Sequence, residues 1–365
     1  MRIGLLLLPL LFLMTGCSNK NPYYDPDKPH HREDGFANRY SGRAKKEGFW
    51  RWQWERRVAD LPKPPTSPIK SIEPDLSFIQ NNRTQTAATW VGHATVLLQT
   101  AGLNILTDPQ WSDRASPVSF AGPTRHQKPG VPFDQLPPID VVLISHNHYD
   151  HLDLQTVRDL MAKHPGVRFY VPLGVDAWFE HNVEGTQLKG ESANVIAMDW
   201  DDKTVIQGAK GEVELQFHAV QHWSARTPWD RYETLWGGWA VLHPEFRFWF
   251  SGDLGYSKDT QDVGRGLGSV DLAAIAIGAY EPRWFMQQMH INPAEAVKVM
   301  QEVGAKHALA VHWGTFERLT DESLDEPPQV LKRSWMLCLS RGQIFVCWLT
   351  VRHGSLISSL ERQRR

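Results

Sequence analysis

The sequence predicts an α/β fold in which two β-sheets are sandwiched between helices. Three observations predict it. Short apolar strands and amphipathic helices mix without strict alternation, which argues against a doubly wound parallel sheet. The strands cluster in two separate regions. Several strands also share one habit: each delivers a possible metal ligand just past its end, namely His146 and its neighbours, His222, Asp253 and His312.

Met1-Arg2 is followed by an apolar run over 5–13 and then Met14-Thr15-Gly16-Cys17. A basic start, a short apolar core and small residues before a boundary are the parts of a secretory signal. The run is too short to cross a bilayer as a helix. Leu13-Met14-Thr15-Gly16-Cys17 resembles a bacterial lipobox. That resemblance implies removal of residues 1–16, lipidation of Cys17 and attachment to the membrane through it. Ser18 rather than Asp after the cysteine implies an outer-membrane address. Cys338 and Cys347 are then the only possible internal pair, and no disulfide framework is suggested.

Residues 18 to about 45 are polar, with Pro22, Pro26 and Pro29, and are read as a tether. Phe49-Trp50-Arg51-Trp52-Gln53-Trp54 interleaves tryptophans with polar residues. Such aromatics suit either a membrane interface or packing onto the main domain, and packing is favoured. Pro62, Pro64, Pro65 and Pro68 mark a stiff extended linker. Strands are expected at 89–99 and 103–107, turning at Ala101-Gly102, and at 141–145. A helix over 154–163 ends at Pro165-Gly166. A strand at 168–171 and a short helix at 176–181 follow. Further strands are expected at 195–198, 213–217, 235–242, 246–250, 271–277 and 308–311. Pro293 opens a helix to 303, with Asn292 as its cap and Glu295 in the first turn. The 365 residues, 41% hydrophobic, allow a large core, and a net charge of −2 predicts no nucleic-acid partner.

His146-Asn147-His148-Tyr149-Asp150-His151 packs three histidines and an acid beyond a buried strand. Imidazole and carboxylate are donors that Zn²⁺ accepts where thiolates are absent. His146, His148 and His222 give one three-nitrogen site. Asp150, His151 and His312 give another, and Asp253 bridges them through both carboxylate oxygens. Two divalent ions roughly 3.5–4 Å apart would hold a hydroxide between them. Zinc lowers the pKa of bound water to about 7, so the reaction class is hydrolysis. His93, placed on a strand, is read as a buried support rather than a ligand. Asp108 is read as orienting a ligand histidine. Asp153 and Asp140 are read as a cap and a turn. Glu281 and Arg283 are left between a structural pair and a contact with a substrate phosphate.

The spacing His146-x-His148-x-Asp150-His151, with later His222, Asp253 and His312, resembles the metallo-β-lactamase fold superfamily. Trp90-Val91-Gly92-His93-Ala94-Thr95, Leu106-Thr107-Asp108-Pro109, Gln221-His222-Trp223, Gly278–Met286 and His312-Trp313-Gly314 bring it closer to two groups. These are the N-acylphosphatidylethanolamine-hydrolysing phospholipases D and the bacterial outer-membrane lipoproteins of the RomA type. The resemblance implies a four-layer αβ/βα sandwich, a site for two zinc ions and a phospholipid substrate. It implies that Tyr149 and His290 contact that substrate; by themselves they read as a packing residue and a helix-entry residue. It also places Asp150 and Asp253 at the centre of the catalysis. The domain plan that follows is a signal peptide over 1–16, a tether and extension over 17–80, a hydrolase domain over 81–330 and a divergent segment over 331–365. The greasy stretch 334–351 departs from the family's usual polar ending. Two other readings stay open: a hydrolase of lactones, β-lactams or other phosphodiesters, and a non-catalytic metal-bearing envelope protein.

Overall fold

The computed structural model describes residues 20–43, 48–67, 69, 71–337, 344–346 and 350–352. The signal segment, Cys17, Cys338 and Cys347 lie outside the described residues.

Two seven-stranded sheets form the centre. The first runs in the order Thr350–Arg352, Ala87–Gly92, Thr95–Thr100, Leu103–Thr107, Val141–Leu143, Arg168–Pro172 and Val195–Met198. The second runs Lys203–Gly208, Gly211–His218, Gly238–His243, Phe246–Phe250, Val270–Ala276, Ala305–Val311 and Ile344–Val346. Each has the same plan: three antiparallel pairings, then three parallel ones. The parallel halves aim their strand ends at one edge, where the metal-ligand candidates emerge.

Alternation along the strands explains the layers, because successive side chains point to opposite faces. Leu98, Ile105, Leu143 and Tyr170 join the core between the sheets, with Phe217, Trp239, Phe248 and Phe250 opposite. Their neighbours Leu97, Leu106, Val142 and Phe169 face the other way and pack with Val157, Leu160 and Phe179. Those last three lie on the helices Leu154–Lys163 and Val175–Asn182. On the far side the helices Asp259–Leu267, Pro293–Glu302 and Glu326–Leu337 cover the second sheet. The result is the four-layer αβ/βα sandwich.

Local signals set several of these elements. Asn292 accepts from the Glu295 N–H while the Glu295 side chain accepts from the Asn292 N–H, a reciprocal cap with Pro293 just inside. Asp153 caps Leu154–Lys163 and also accepts from the backbone of Ser112. Asp140 accepts from the Asn104 N–H at 2.7 Å.

Four expectations change. The single strand over 89–99 is two strands, and His93 sits in the tight turn between them with φ 50°. The stretch read as a tether is packed over 20–43: His30, His31, Phe36 and Asn38 are all buried. The period-two aromatics lie on a helix, Phe49–Val58. Residues four apart share a helix face, so Trp50 and Trp54 point outward at 82% and 66% exposure, whereas Trp52 is buried at 7%. Finally, the boundary at 330 is crossed, because Ile344–Val346 extends one sheet and Thr350–Arg352 the other.

Candidate metal centre

The histidine loop leaves the strand Val141–Leu143 and is held from two sides. Asp108, at the exit of the neighbouring strand, is fully buried and accepts from the Ser145 N–H at 2.7 Å and the Ser145 hydroxyl at 2.5 Å. Its Oδ2 also lies 2.7 Å from His151 Nδ1. Opposite, Arg226 donates to the carbonyls of Asn147 and Leu152 at 2.8 and 2.9 Å. Its guanidinium stacks 3.9 Å from the Tyr149 ring centre, and the Tyr149 hydroxyl donates back to the Arg226 carbonyl.

These contacts decide which ring nitrogen faces inward. His151 Nδ1 faces Asp108, His146 Nδ1 lies 2.9 Å from Ser145 Oγ, and His222 Nδ1 lies 2.9 Å from the Met289 carbonyl. An acceptor on Nδ1 leaves the Nε2 lone pair free for a cation. His148 is turned the other way: its Nδ1 lies 2.8 Å from His146 Nε2 and 3.4 Å from His222 Nε2.

Two groups of donors result, each with its ligand atoms mutually within 4.8 Å. One is His146, His148, His222 and Asp253; the other is Asp150, His151 and His312 together with His93. Asp253 Oδ2 serves both, at 3.1 Å from His151 Nε2, 3.2 Å from His312 Nε2, 3.8 Å from His222 Nε2 and 3.9 Å from His146 Nε2. One oxygen of Asp253 thus stands between the two groups. Asp253 Oδ1 and His148 Nε2 are buried without a hydrogen-bond partner. Buried polar atoms are rarely left so. Together with the nitrogen and carboxylate donors, these orphans fit a divalent metal.

The electrostatics of the cluster point the same way. Burial pulls His148 and His222 down to about 3 and His146 well below its ordinary value. Burial acts likewise on His151 and His312, but the Asp253 and Asp150 carboxylates outweigh it. His151 is held well above its usual range and His312 is raised to about 9. Burial would raise Asp253, yet His151 and His312 hold it well below the carboxylate range.

Around the cluster, His93 Nε2 lies 2.9 Å from Asp150 Oδ2, and its carbonyl accepts from the His312 N–H at 2.8 Å. Gly278 passes so near His312 that a Cβ there would sit 2.1 Å from the His312 oxygen. The Arg283 guanidinium pairs with Glu295 at 2.9 Å and donates to the His290 carbonyl at 2.8 Å, while its backbone N–H donates to Glu281 Oε2 at 3.0 Å. His290 Nδ1 lies 3.9 Å from Asp253 Oδ2. Tyr149 and His290 both line a cavity of about 1150 Å³ whose floor is His148, Asp150, Asp253 and His312. Trp52, Trp223, Phe285 and Met289 make its walls apolar, and Arg51 and Arg231 bring positive charge to them.

All nine sequence-predicted ligands and contacts within the described residues thus meet at one place. Sequence reasoning missed Ser145, Arg226, the Met289 carbonyl and Asn38, whose Oδ1 accepts from the His222 N–H at 2.8 Å. None of them has a residue type or spacing that marks it out; their roles come only from position.

Fold and donor set together define a metal-dependent hydrolase. The chain belongs to the metallo-β-lactamase superfamily: residues 103–313 match the family profile described as "Beta-lactamase superfamily domain". It is 42% identical over 246 residues to N-acyl-phosphatidylethanolamine-hydrolyzing phospholipase D 1 of Caenorhabditis elegans, covering 67% of this chain and 68% of that one. It is 31% identical over 250 residues to the mitochondrial N-acyl-phosphatidylethanolamine-hydrolyzing phospholipase D of Saccharomyces cerevisiae, covering 67% of this chain and 50% of that one. Among solved structures, Igni18, a metallo hydrolase from Ignicoccus hospitalis, shares the fold. It has a TM-score of 0.52 and 15% identity, over 74% of this chain and 98% of that one.

Proposed function

We propose that this chain is a zinc-dependent phosphodiesterase that cleaves N-acylphosphatidylethanolamine-like phospholipids on the head-group side of the phosphate. The observation that carries the reading is the apolar cavity of about 1150 Å³ that ends on the donor cluster. Its walls suit acyl chains, and its floor suits a phosphate. The likeness to the phospholipase D of Caenorhabditis elegans supports the same substrate class.

Two divalent ions bound here would supply Lewis acidity and water acidified to a pKa of about 7. His146, His148 and His222 would hold one, and Asp150, His151 and His312 the other, with Asp253 shared between them. The chain's own residues then bind and orient. Arg231, stacked 4.4 Å from the Trp223 ring centre, places a cation in the cavity wall for an anionic ester. Tyr149 and His290 flank the floor, and the ring of Trp223 meets His148 edge-on at 4.5 Å. Trp52 and Phe285, stacked at 4.8 Å, join Trp223 in one apolar cluster that excludes water from this wall. Cleavage releases an N-acylethanolamine and leaves a phosphatidate. Lipidation of Cys17 in the outer membrane would keep the cavity close to its substrate.

Purified protein loaded with zinc is incubated in detergent with N-acylphosphatidylethanolamine. Release of N-acylethanolamine with two metals bound per chain supports the reading. No release with both metals verified removes this substrate, and a panel of lactones, β-lactams and other phosphodiesters then decides among hydrolases. Mass spectrometry of the mature N-terminus tests the anchor: an unmodified Cys17 would rule it out.

A further inference from the structure

We propose that Asn38 is a positioning residue for the metal centre, and that the N-terminal strap carrying it governs how tightly one ion is held. The strap, residues 20–43, lies outside the stretch that matches the family profile.

His222 stands beyond the end of its strand, where no sheet neighbour accepts from its backbone N–H. Asn38 supplies that acceptor. Its Oδ1 lies 2.8 Å from the His222 N and 3.2 Å from Trp236 Nε1. The amide is locked in this sense because its Nδ2 donates to the Gly42 carbonyl at 2.9 Å. Main-chain bonds between Asn38 and Gly42 in both directions close the turn. The Asn38 side chain is buried at 4% exposure, so water does not replace it. His222 is thus fixed twice, at its ring by the Met289 carbonyl and at its backbone by Asn38. Loss of the second point leaves a buried N–H unpaired, which costs enough to shift the backbone. Any shift moves Nε2 relative to His148 Nδ1, 3.4 Å away, and Asp253 Oδ2, 3.8 Å away.

The strap that delivers Asn38 is itself anchored. Asp199 receives His30 at 2.7 Å, His31 at 2.9 Å and Lys28 at 2.5 Å. Phe36 is fully buried in the core between the sheets, and its N–H donates to the Tyr232 carbonyl at 2.8 Å. Gly35 passes so close that a Cβ would lie 2.1 Å from that same oxygen. The strap therefore runs along the loop that follows His222 and arrives at it rigidly.

The inference rests on His222 holding a metal. The test uses the full chain loaded with zinc and titrated with a chelator, with ions counted per chain and the melting temperature of the metal-free form measured. Asn38→Ala is expected to release one of two ions about 10- to 100-fold more readily. Asn38→Asp, which keeps the acceptor oxygen, is expected to restore retention. Unchanged retention in Asn38→Ala overturns the proposal, as does equal loss in both variants, which would assign the effect to the Gly42 turn. If Asn38→Ala does not fold, Asn38→Ser, too short to reach both donors, takes its place under the same criteria. His222→Ala separates the two ideas: if it keeps both ions, the reading of the metal centre fails instead.

Discussion

Asp253 Oδ2 lies 3.1 Å from His151 Nε2, and the same oxygen faces His312, His222 and His146 within 3.9 Å. One carboxylate oxygen stands at the meeting point of four imidazoles delivered by three separate stretches of chain. Asp253→Asn keeps the shape and removes the charge that this oxygen shares. Metal content is expected to fall and turnover of a generic phosphodiester to drop at least about 100-fold, since on the proposed two-ion reading both ions would lose a ligand. Turnover near that of the parent would discredit the shared role.

Asp108 tests the support beneath the ligands. It accepts from Ser145 twice and faces His151 Nδ1. Asp108→Asn turns an acceptor for His151 into a group that no longer fixes its tautomer. Metal affinity measured by chelator competition is expected to weaken about 10- to 100-fold. An affinity equal to the parent's would show that Asp108 does not orient His151 for the metal.

The tryptophans of the helix Phe49–Val58 separate packing from exposure. Trp52 stacks on Phe285 and its Nε1 donates to Asp321 Oδ2 at 2.9 Å. Trp52→Ala is expected to cost about 3–5 kcal/mol in denaturant unfolding. Trp50→Ala, at a mostly exposed position, is expected to stay within about 0.5 kcal/mol. Equal costs would contradict the face assignment.

Asp199 gives the strap a dependence on acid. Burial raises its carboxyl, but the hydrogen bonds from His30 and Lys28 outweigh that and hold it well below the usual range. A carboxyl depressed in the folded state stabilises above its unfolded pKa, about 3.9. That stability is lost as the pH falls from there toward the folded value. Unfolding measured from pH 6 to pH 2 should therefore show an acid-labile component that Asp199→Asn removes. The variant should also lose about 2–3 kcal/mol at pH 6, the worth of a hydrogen bond to a charged group. A pH profile parallel to the parent's would show that the clasp does not bear on stability.

The helices Leu154–Lys163 and Pro293–Glu302 were legible because their caps lie within a few residues of the apolar face they start. Two of the unread elements were missed for opposite reasons. Lys203–Gly208 is an edge strand whose outward residues leave little apolar signal. Asp259–Leu267 contains Gly264, which reads as a helix breaker. In the fold that glycine admits the neighbouring helix: a Cβ there would sit 1.9 Å from the Glu302 oxygen. The single strand expected over 89–99 failed because one residue, His93, takes a left-handed conformation that apolar periodicity does not register.

The sequence by itself determined the donor types, their order and the strand ends that carry them, because each depends on neighbours a few residues away. Only the tertiary structure decided which ring nitrogen faces inward, that one Asp253 oxygen serves both groups, and that the supposed tether is a strap. Those outcomes depend on partners such as Asn38 and His222, 184 positions apart. A hydrogen bond of that reach leaves no periodicity in the chain; it exists only once the sheets have packed and excluded water from both ends of it.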